Sequence, residues 1–254
     1  MNVGFRLATA AMATRFELLI PEPETPALRA AGEDALEAIE ECDRRLSRFR
    51  RDGLPAHVER HASTRPVRLD VDTFELLALA LDVHARTAGA FDVAHAGPGS
   101  SADLVLDRAA RTLRLRRPLT LDLGALAKGH ALELAARALR AGGVERAFLH
   151  GGTSSALALG APEGADGWRV ALAGTTRVVR LRDRALSVSA QRGRAHVRDP
   201  RTGTPVAGGC CAWTVARDAR VAEAWSTAAL VLGRACGADD DARIEACGLE
   251  DDGR

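Results

Sequence analysis

The apolar residues of this chain keep changing period. In four stretches they recur every three or four residues, and between those stretches they form short runs joined by turn signals. Leu104 to Leu106 and Thr112 to Leu115 alternate apolar and polar around a charged turn, which reads as a hairpin. Further short strands are predicted at Phe16 to Ile20, Leu119 to Leu123, Ala147 to Leu149, Trp168 to Leu172, Arg177 to Leu181, Ala185 to Val188 and Ala212 to Val215. Strands outnumber helices and most are hairpin-linked, so the pattern favours an α+β fold with an antiparallel sheet over alternating βαβ units.

The first helix opens at Thr25-Pro26, an N-cap followed by a proline at the first helical position. Leu28, Ala31, Ala35, Ile39, Cys42, Leu46 and Phe49 form its apolar stripe, with an acidic first half and a basic second half that suit the helix dipole. A second helix is predicted from Asp72, with Glu75 as its capping pair, to Gly89, a third from the Gly124 region to Gly142 and a fourth over about Ala222 to Leu232. No internal repeat or low-complexity linker divides the 254 residues, so residues 1–254 are read as one domain. From Gly237 the chain is predicted to form a short helix and an acidic tail.

Charge is almost balanced, 35 basic against 34 acidic side chains, so no basic field points to nucleic acid. Five cysteines without a CxxC spacing fit a reducing compartment and argue against structural zinc. No run reaches the ~20 apolar residues of a membrane helix, and Arg6, Arg15 and Glu17 interrupt the first twenty residues, so a soluble, cytoplasmic chain is expected. There is no tyrosine, asparagine occurs only at Asn2, and the single lysine, Lys128, stands among 34 arginines. In a chain that has replaced lysine wherever charge alone matters, the survivor invites a chemical reason, because a compact ammonium suits a tight anion site that a planar guanidinium does not.

Four motifs could carry chemistry. Asp122-Leu123-Gly124-Ala125-Leu126-Ala127-Lys128-Gly129-His130 places an Asp, small residues and the lone Lys at a strand-to-helix turn, where unpaired amides favour anions. It is not a P-loop, because Lys128 precedes the second glycine. Leu149-His150-Gly151-Gly152-Thr153-Ser154-Ser155 can present amides and hydroxyls, but Ala156 stands where a nucleophile elbow needs glycine. In His196-Val197-Arg198-Asp199-Pro200-Arg201-Thr202-Gly203 the Asp199 to Gly203 part reads as a turn, and His196 before it is a candidate general base. Glu223 and Thr227 lie at i and i+4 of the fourth helix, so a carboxylate and a hydroxyl share one face and could hold a hard cation; the plainer reading is an acidic helix start.

In order along the chain these motifs, with Met12-Ala13-Thr14-Arg15-Phe16, Leu46-Ser47-Arg48-Phe49-Arg50, Thr87-Ala88-Gly89-Ala90-Phe91-Asp92-Val93 and Ala222 to Gly233, resemble the FAD:protein FMN transferase family, the ApbE-type proteins. The resemblance implies a T-fold-like α+β architecture and transfer of FMN from FAD, with Mg²⁺, to a Ser or Thr hydroxyl of an acceptor protein through a phosphoester bond. It implies that Met12, Phe49, Ala90, Phe91, Asp92, Asp122, Lys128 and His196 line the FAD site, and that His196 deprotonates the acceptor hydroxyl. Ala125, through its carbonyl, Glu223 and Thr227 would hold Mg²⁺, with Ser226 as a weaker oxygen donor. The alternatives are a Mg²⁺-dependent FAD pyrophosphatase, in which water replaces the acceptor, and a non-catalytic FAD-binding homologue.

Four departures from the family pattern bear on that reading. Glu223 stands in place of the usual Asp, which moves the carboxylate outward by a methylene against the ~2.0–2.1 Å that Mg²⁺ demands. Glu59 lies near a position usually held by Asn, the segment Ala94 to Asp103 is short, and His130 replaces an aromatic that is commonly Tyr. No acceptor motif stands out within the chain, so self-modification is not expected.

Overall fold

The computed structural model describes residues 4–172, 175–191 and 197–251. The chain opens on a hairpin of β1 (Phe5–Ala11) and β2 (Thr14–Ile20), joined through Met12 and Ala13 at φ 51 and 55. Positive φ at both loop positions matches the twist of an antiparallel pair, although Asn or Gly is the usual occupant. Then follow α1 (Pro26–Leu46), α2 (Leu54–His61), β3 (Val67–Arg68), α3 (Val71–Arg86), β4 (Leu104–Asp107), β5 (Thr112–Leu115) and α4 (Gly124–Ala141). The remainder comprises β6 (Ala147–Gly151), β7 (Ser155–Leu159), β8 (Trp168–Ala171), β9 (Val178–Leu181), β10 (Arg184–Ala190), β11 (Cys210–Ala216), α5 (Ala219–Leu232) and β12 (Ile244–Asp251).

Seven of these strands form one sheet in the order β1-β2-β6-β7-β10-β11-β12, antiparallel at every step. This is the α+β, antiparallel arrangement that the hairpin-linked runs predicted. Leu157 and Leu159 of β7 and Ala185 of β10 face the core shared with α1, α4 and α5. Their neighbours Ala156, Ala158 and Leu186 face a second core that Trp168 and Leu181 of the β8–β9 ribbon close together with Leu172, just past β8. The sheet is thus covered on both sides, and each leucine it buries stabilises by roughly 1.5–3 kcal/mol. A smaller sheet, β3-β5-β4, includes the predicted hairpin.

Helix α1 follows the predicted stripe. The Thr25 hydroxyl accepts the Leu28 N–H at 3.2 Å, Arg44 and Arg45 stand in the last turn, and Ala31, Ala35, Ile39, Cys42 and Leu46 are buried. Phe49 departs from it: the helix is capped at Ser47 and the Phe49 ring is 83% exposed. Helix α3 starts earlier than predicted because Asp70, not Asp72, is the cap, accepting the Thr73 N–H at 3.0 Å, while Asp72 pairs with Arg137 of α4.

Leu119 to Leu123 is not a strand. Leu119, Leu121 and Leu123 are buried alternately, as an extended segment requires, but the Leu121 N–H donates to the Glu59 carboxylate at 3.2 Å and the Asp122 N–H to the Val93 carbonyl at 2.7 Å. Glu59 therefore serves the backbone in place of a strand neighbour. The segment after Gly237 forms a turn and then β12, an edge strand against β11, rather than a short helix. Among the described residues no helix is long and apolar enough to cross a membrane.

Candidate functional site

The start of α4 is the hinge of the site. Leu123 gives no side-chain cap, and the Asp122 carboxylate accepts the Gly124 N–H at 2.9 Å, so Asp122 and the first turn of the helix are tied together. Two hollows meet there, of about 460 Å³ and 390 Å³, and share Asp122, Gly124 and Lys128. Ala90, Phe91, Asp92, Ala125 and Thr227 line the first lobe; Met12 and Phe49 line the second. Nine of the residues picked from sequence thus converge on one bipartite cleft from five separate parts of the chain. His196 lies outside the described residues.

Glu223 is 2% exposed and is not among the residues that line either hollow; it lies against Lys128, which lines both. Its Oε1 is 2.5 Å from the Lys128 ammonium and accepts the Ser155 hydroxyl at 3.4 Å, while its Oε2 accepts the Gly129 N–H. Gly129 makes this possible, because a Cβ there would stand 2.4 Å from the Ala219 carbonyl oxygen and 2.9 Å from Glu223 Oε2. A buried carboxylate without such partners would be strongly destabilising. Thr227, one turn further along α5, has its hydroxyl 3.1 Å from that of Ser189 and faces the first lobe. Ser226 is turned inward, bonded to Ser187 Oγ at 3.0 Å and to the Glu223 carbonyl at 3.1 Å, so it is not positioned as a further ligand in the cleft.

Asp92 lines the first lobe, but its carboxylate organises the loop behind it, accepting the N–H groups of Ala94 at 2.6 Å and Ser101 at 3.1 Å and the Ser101 hydroxyl at 2.9 Å. The short Ala94 to Asp103 segment is therefore held in place by Asp92 itself. In the second lobe Arg48 Nε lies 3.3 Å from Asp122 Oδ2 and its guanidinium stands 4.7 Å from the centre of the Phe49 ring. Of the carboxylates that line the cleft, Asp122 faces Arg48 and Asp92 is hydrogen-bonded to its own loop, while Asp43 also borders the second lobe.

Sequence reasoning assigned no role to Arg48, Arg198 or His95, although all three border the cleft. An arginine is a weak signal in a chain where nearly every basic residue is one. Thr153 and Ser154 of the Gly-Gly turn also line the first lobe, as the loop's potential to present hydroxyls suggested. Gly152 adopts φ 59 there, and a Cβ would lie 2.5 Å from Thr14 Oγ1, so glycine lets the turn rest on the start of β2.

An antiparallel sheet backed by three helices carries a two-lobed cleft at a helix start. The ApbE family model matches residues 12–240, and the chain belongs to that family. Among solved structures it is similar to the ApbE protein from Thermotoga maritima MSB8, at 20% identity and a TM-score of 0.79 over 91% of this chain and 87% of that one. A mutant of flavin transferase ApbE from Vibrio cholerae gives the same identity, TM-score and coverage. Pseudomonas stutzeri flavinyl transferase ApbE in its apo form matches at 20% identity and a TM-score of 0.79, over 91% of this chain and 86% of that one. No curated protein matches the chain closely enough to count as a relative.

Proposed function

We propose that this chain, acting as a single domain, transfers FMN from FAD to a Ser or Thr hydroxyl of an acceptor protein. The observation that carries the reading is the bipartite cleft: FAD has two ring-bearing ends joined by a diphosphate, and here two lobes are joined at the one lysine of the chain. Family membership and the flavin transferase names of similar structures support it. Met12 and Phe49 would contact one end of FAD, Ala90, Phe91 and Asp92 the other, and Lys128 with Asp122 the region of the join.

In the reaction the acceptor oxygen forms a bond to the FMN-side phosphorus as the bond to AMP breaks, and the hydroxyl proton leaves to a base. His196 is proposed as that base on the strength of its motif. AMP departs carrying the electron pair of the broken bond.

The residues present fit Mg²⁺. Among the described residues no three His, Cys, Asp or Glu side chains cluster as a metal site. One carboxylate, Glu223, the Thr227 hydroxyl and the Ala125 carbonyl are instead all hard oxygen donors, the set that suits a cation completing its shell from phosphate. The Lys128 ammonium at 2.5 Å from Glu223 Oε1 shows that a positive charge is accommodated there. Bound Mg²⁺ would offset diphosphate charge in the transition state.

The test incubates the protein with FAD, Mg²⁺ and a flavin-acceptor domain and reads in-gel flavin fluorescence beside an EDTA control. A fluorescent acceptor band lost in EDTA is expected. Release of FMN and AMP with the acceptor dark would instead assign a pyrophosphatase. His196→Ala is expected to abolish transfer while sparing FAD binding, and a variant that still transfers at the wild-type rate would remove His196 from the mechanism.

A further inference from the structure

The Lys128–Glu223 pair raises a conflict that the cleft must resolve. Glu223 Oε2 is held by the Gly129 amide, and Oε1, which also accepts the Ser155 hydroxyl at 3.4 Å, is the oxygen that meets a cation, with the Lys128 ammonium 2.5 Å from it. Lys128 is not locked away with its partner: its side chain is 23% exposed against 3% for Glu223, and it lines both lobes. Thr227 lines the first lobe, one helical turn from Glu223. Two cations cannot both occupy Oε1 at contact distance without strong mutual repulsion in a partly buried site.

We infer that Lys128 is the internal stand-in for the metal: it neutralises buried Glu223 while no divalent cation is bound, and releases the carboxylate to the cation when one arrives. This rests on the proposed function for the identity of the cation. The released ammonium, on its flexible four-carbon stem, then faces the cleft, where it adds its charge to the binding of an anionic ligand. The same device explains why lysine persists here among 34 arginines. A guanidinium would grip the carboxylate in a planar fork and release it less readily.

The cost of this arrangement falls on metal affinity, because only the fraction of molecules with Glu223 unpaired is competent to bind. The test uses Mg²⁺ alone, without FAD, followed by titration calorimetry and thermal unfolding. Lys128→Met is expected to unfold at a lower temperature than wild type in EDTA, to recover on adding Mg²⁺, and to bind Mg²⁺ about tenfold tighter or more. The double variant Lys128→Met with Glu223→Gln is expected to lose that response. Binding by Lys128→Met no tighter than wild type, or an unchanged response in the double variant, would overturn the inference.

If Lys128→Met fails to fold even with Mg²⁺, Lys128→Arg carries the test. It is expected to bind Mg²⁺ about tenfold more weakly than wild type, and equal or tighter binding overturns the inference. Scoring FMN transfer by wild type in parallel separates the two readings. Absent transfer with this Mg²⁺ pattern removes the transferase and keeps the exchange, whereas transfer without the pattern does the reverse.

Discussion

His130 on α4 is 4% exposed, and its Nδ1 has no hydrogen-bond partner among the described residues. Burial, reinforced by the Arg220 and Arg45 charges against the weaker pull of Asp72 and Asp70, pushes its pKa down from 6.5 to about 4. The unfolded chain therefore takes up a proton between those values that the folded chain refuses. The neutral ring's stabilising contribution is complete above pH 6.5 and is lost as pH falls toward 4. Between pH 7 and pH 5 wild type should lose about 2 kcal/mol more stability than His130→Leu, as read by urea unfolding; equal losses in the two proteins would contradict the assignment. His130 closes the anion motif in the sequence, but the burial of its Nδ1 without a partner depends on packing that no local pattern records. Asp92 and Glu59 show the same limit, since both were legible as positions and neither as a carboxylate serving nearby backbone amides.

Helices α4 and α5 meet at Gly129, and their contact is what brings Lys128 to Glu223. Gly129→Ala should push the helices apart and cost about 1–3 kcal/mol, measured by denaturant unfolding, with weaker FAD binding because the shared wall of both lobes moves. A neutral effect on stability and binding would mean that the close approach is not needed. Elements with a strong period were readable: the stripe and cap of α1, the β4–β5 hairpin and the end of α4 at Gly142 match the structure. Those that were missed lack such a period or are diluted by alanine. β7 reads Ser-Ala-Leu-Ala-Leu and is buried on both faces, so it shows no polar alternation. β1 alternates, but largely through Ala and Thr, which give little contrast. β12 follows an acidic turn and ends in Glu250-Asp251, which masks an edge strand as a solvated tail. At Leu119 to Leu123 the alternation was real, yet a strand also needs a neighbour, and here side-chain and loop groups take that place.

At the scale of the whole molecule the sheet brings distant motifs together. The β1–β2 turn supplies Met12, the end of α1 leads to Phe49, the loop after α3 supplies Phe91, and α4 and α5 bring Lys128 and Thr227 to one cleft. Their order along the chain made the family legible, but no spacing in sequence could show that the cleft has two lobes meeting at Lys128. Elsewhere a hollow of about 680 Å³ between α3, α5 and β12 is lined by Arg108–Glu75, Arg243–Asp82 and Arg217–Glu245 pairs, which neutralise one another. Titration calorimetry of wild type with FAD, FMN and AMP tests whether the two lobes act as one binding site. One FAD is expected to bind per chain, more tightly than FMN or AMP, with each half displaced by FAD. FMN or AMP binding as tightly as FAD, or FAD binding that neither half competes for, would contradict a cleft that holds both ends of the dinucleotide.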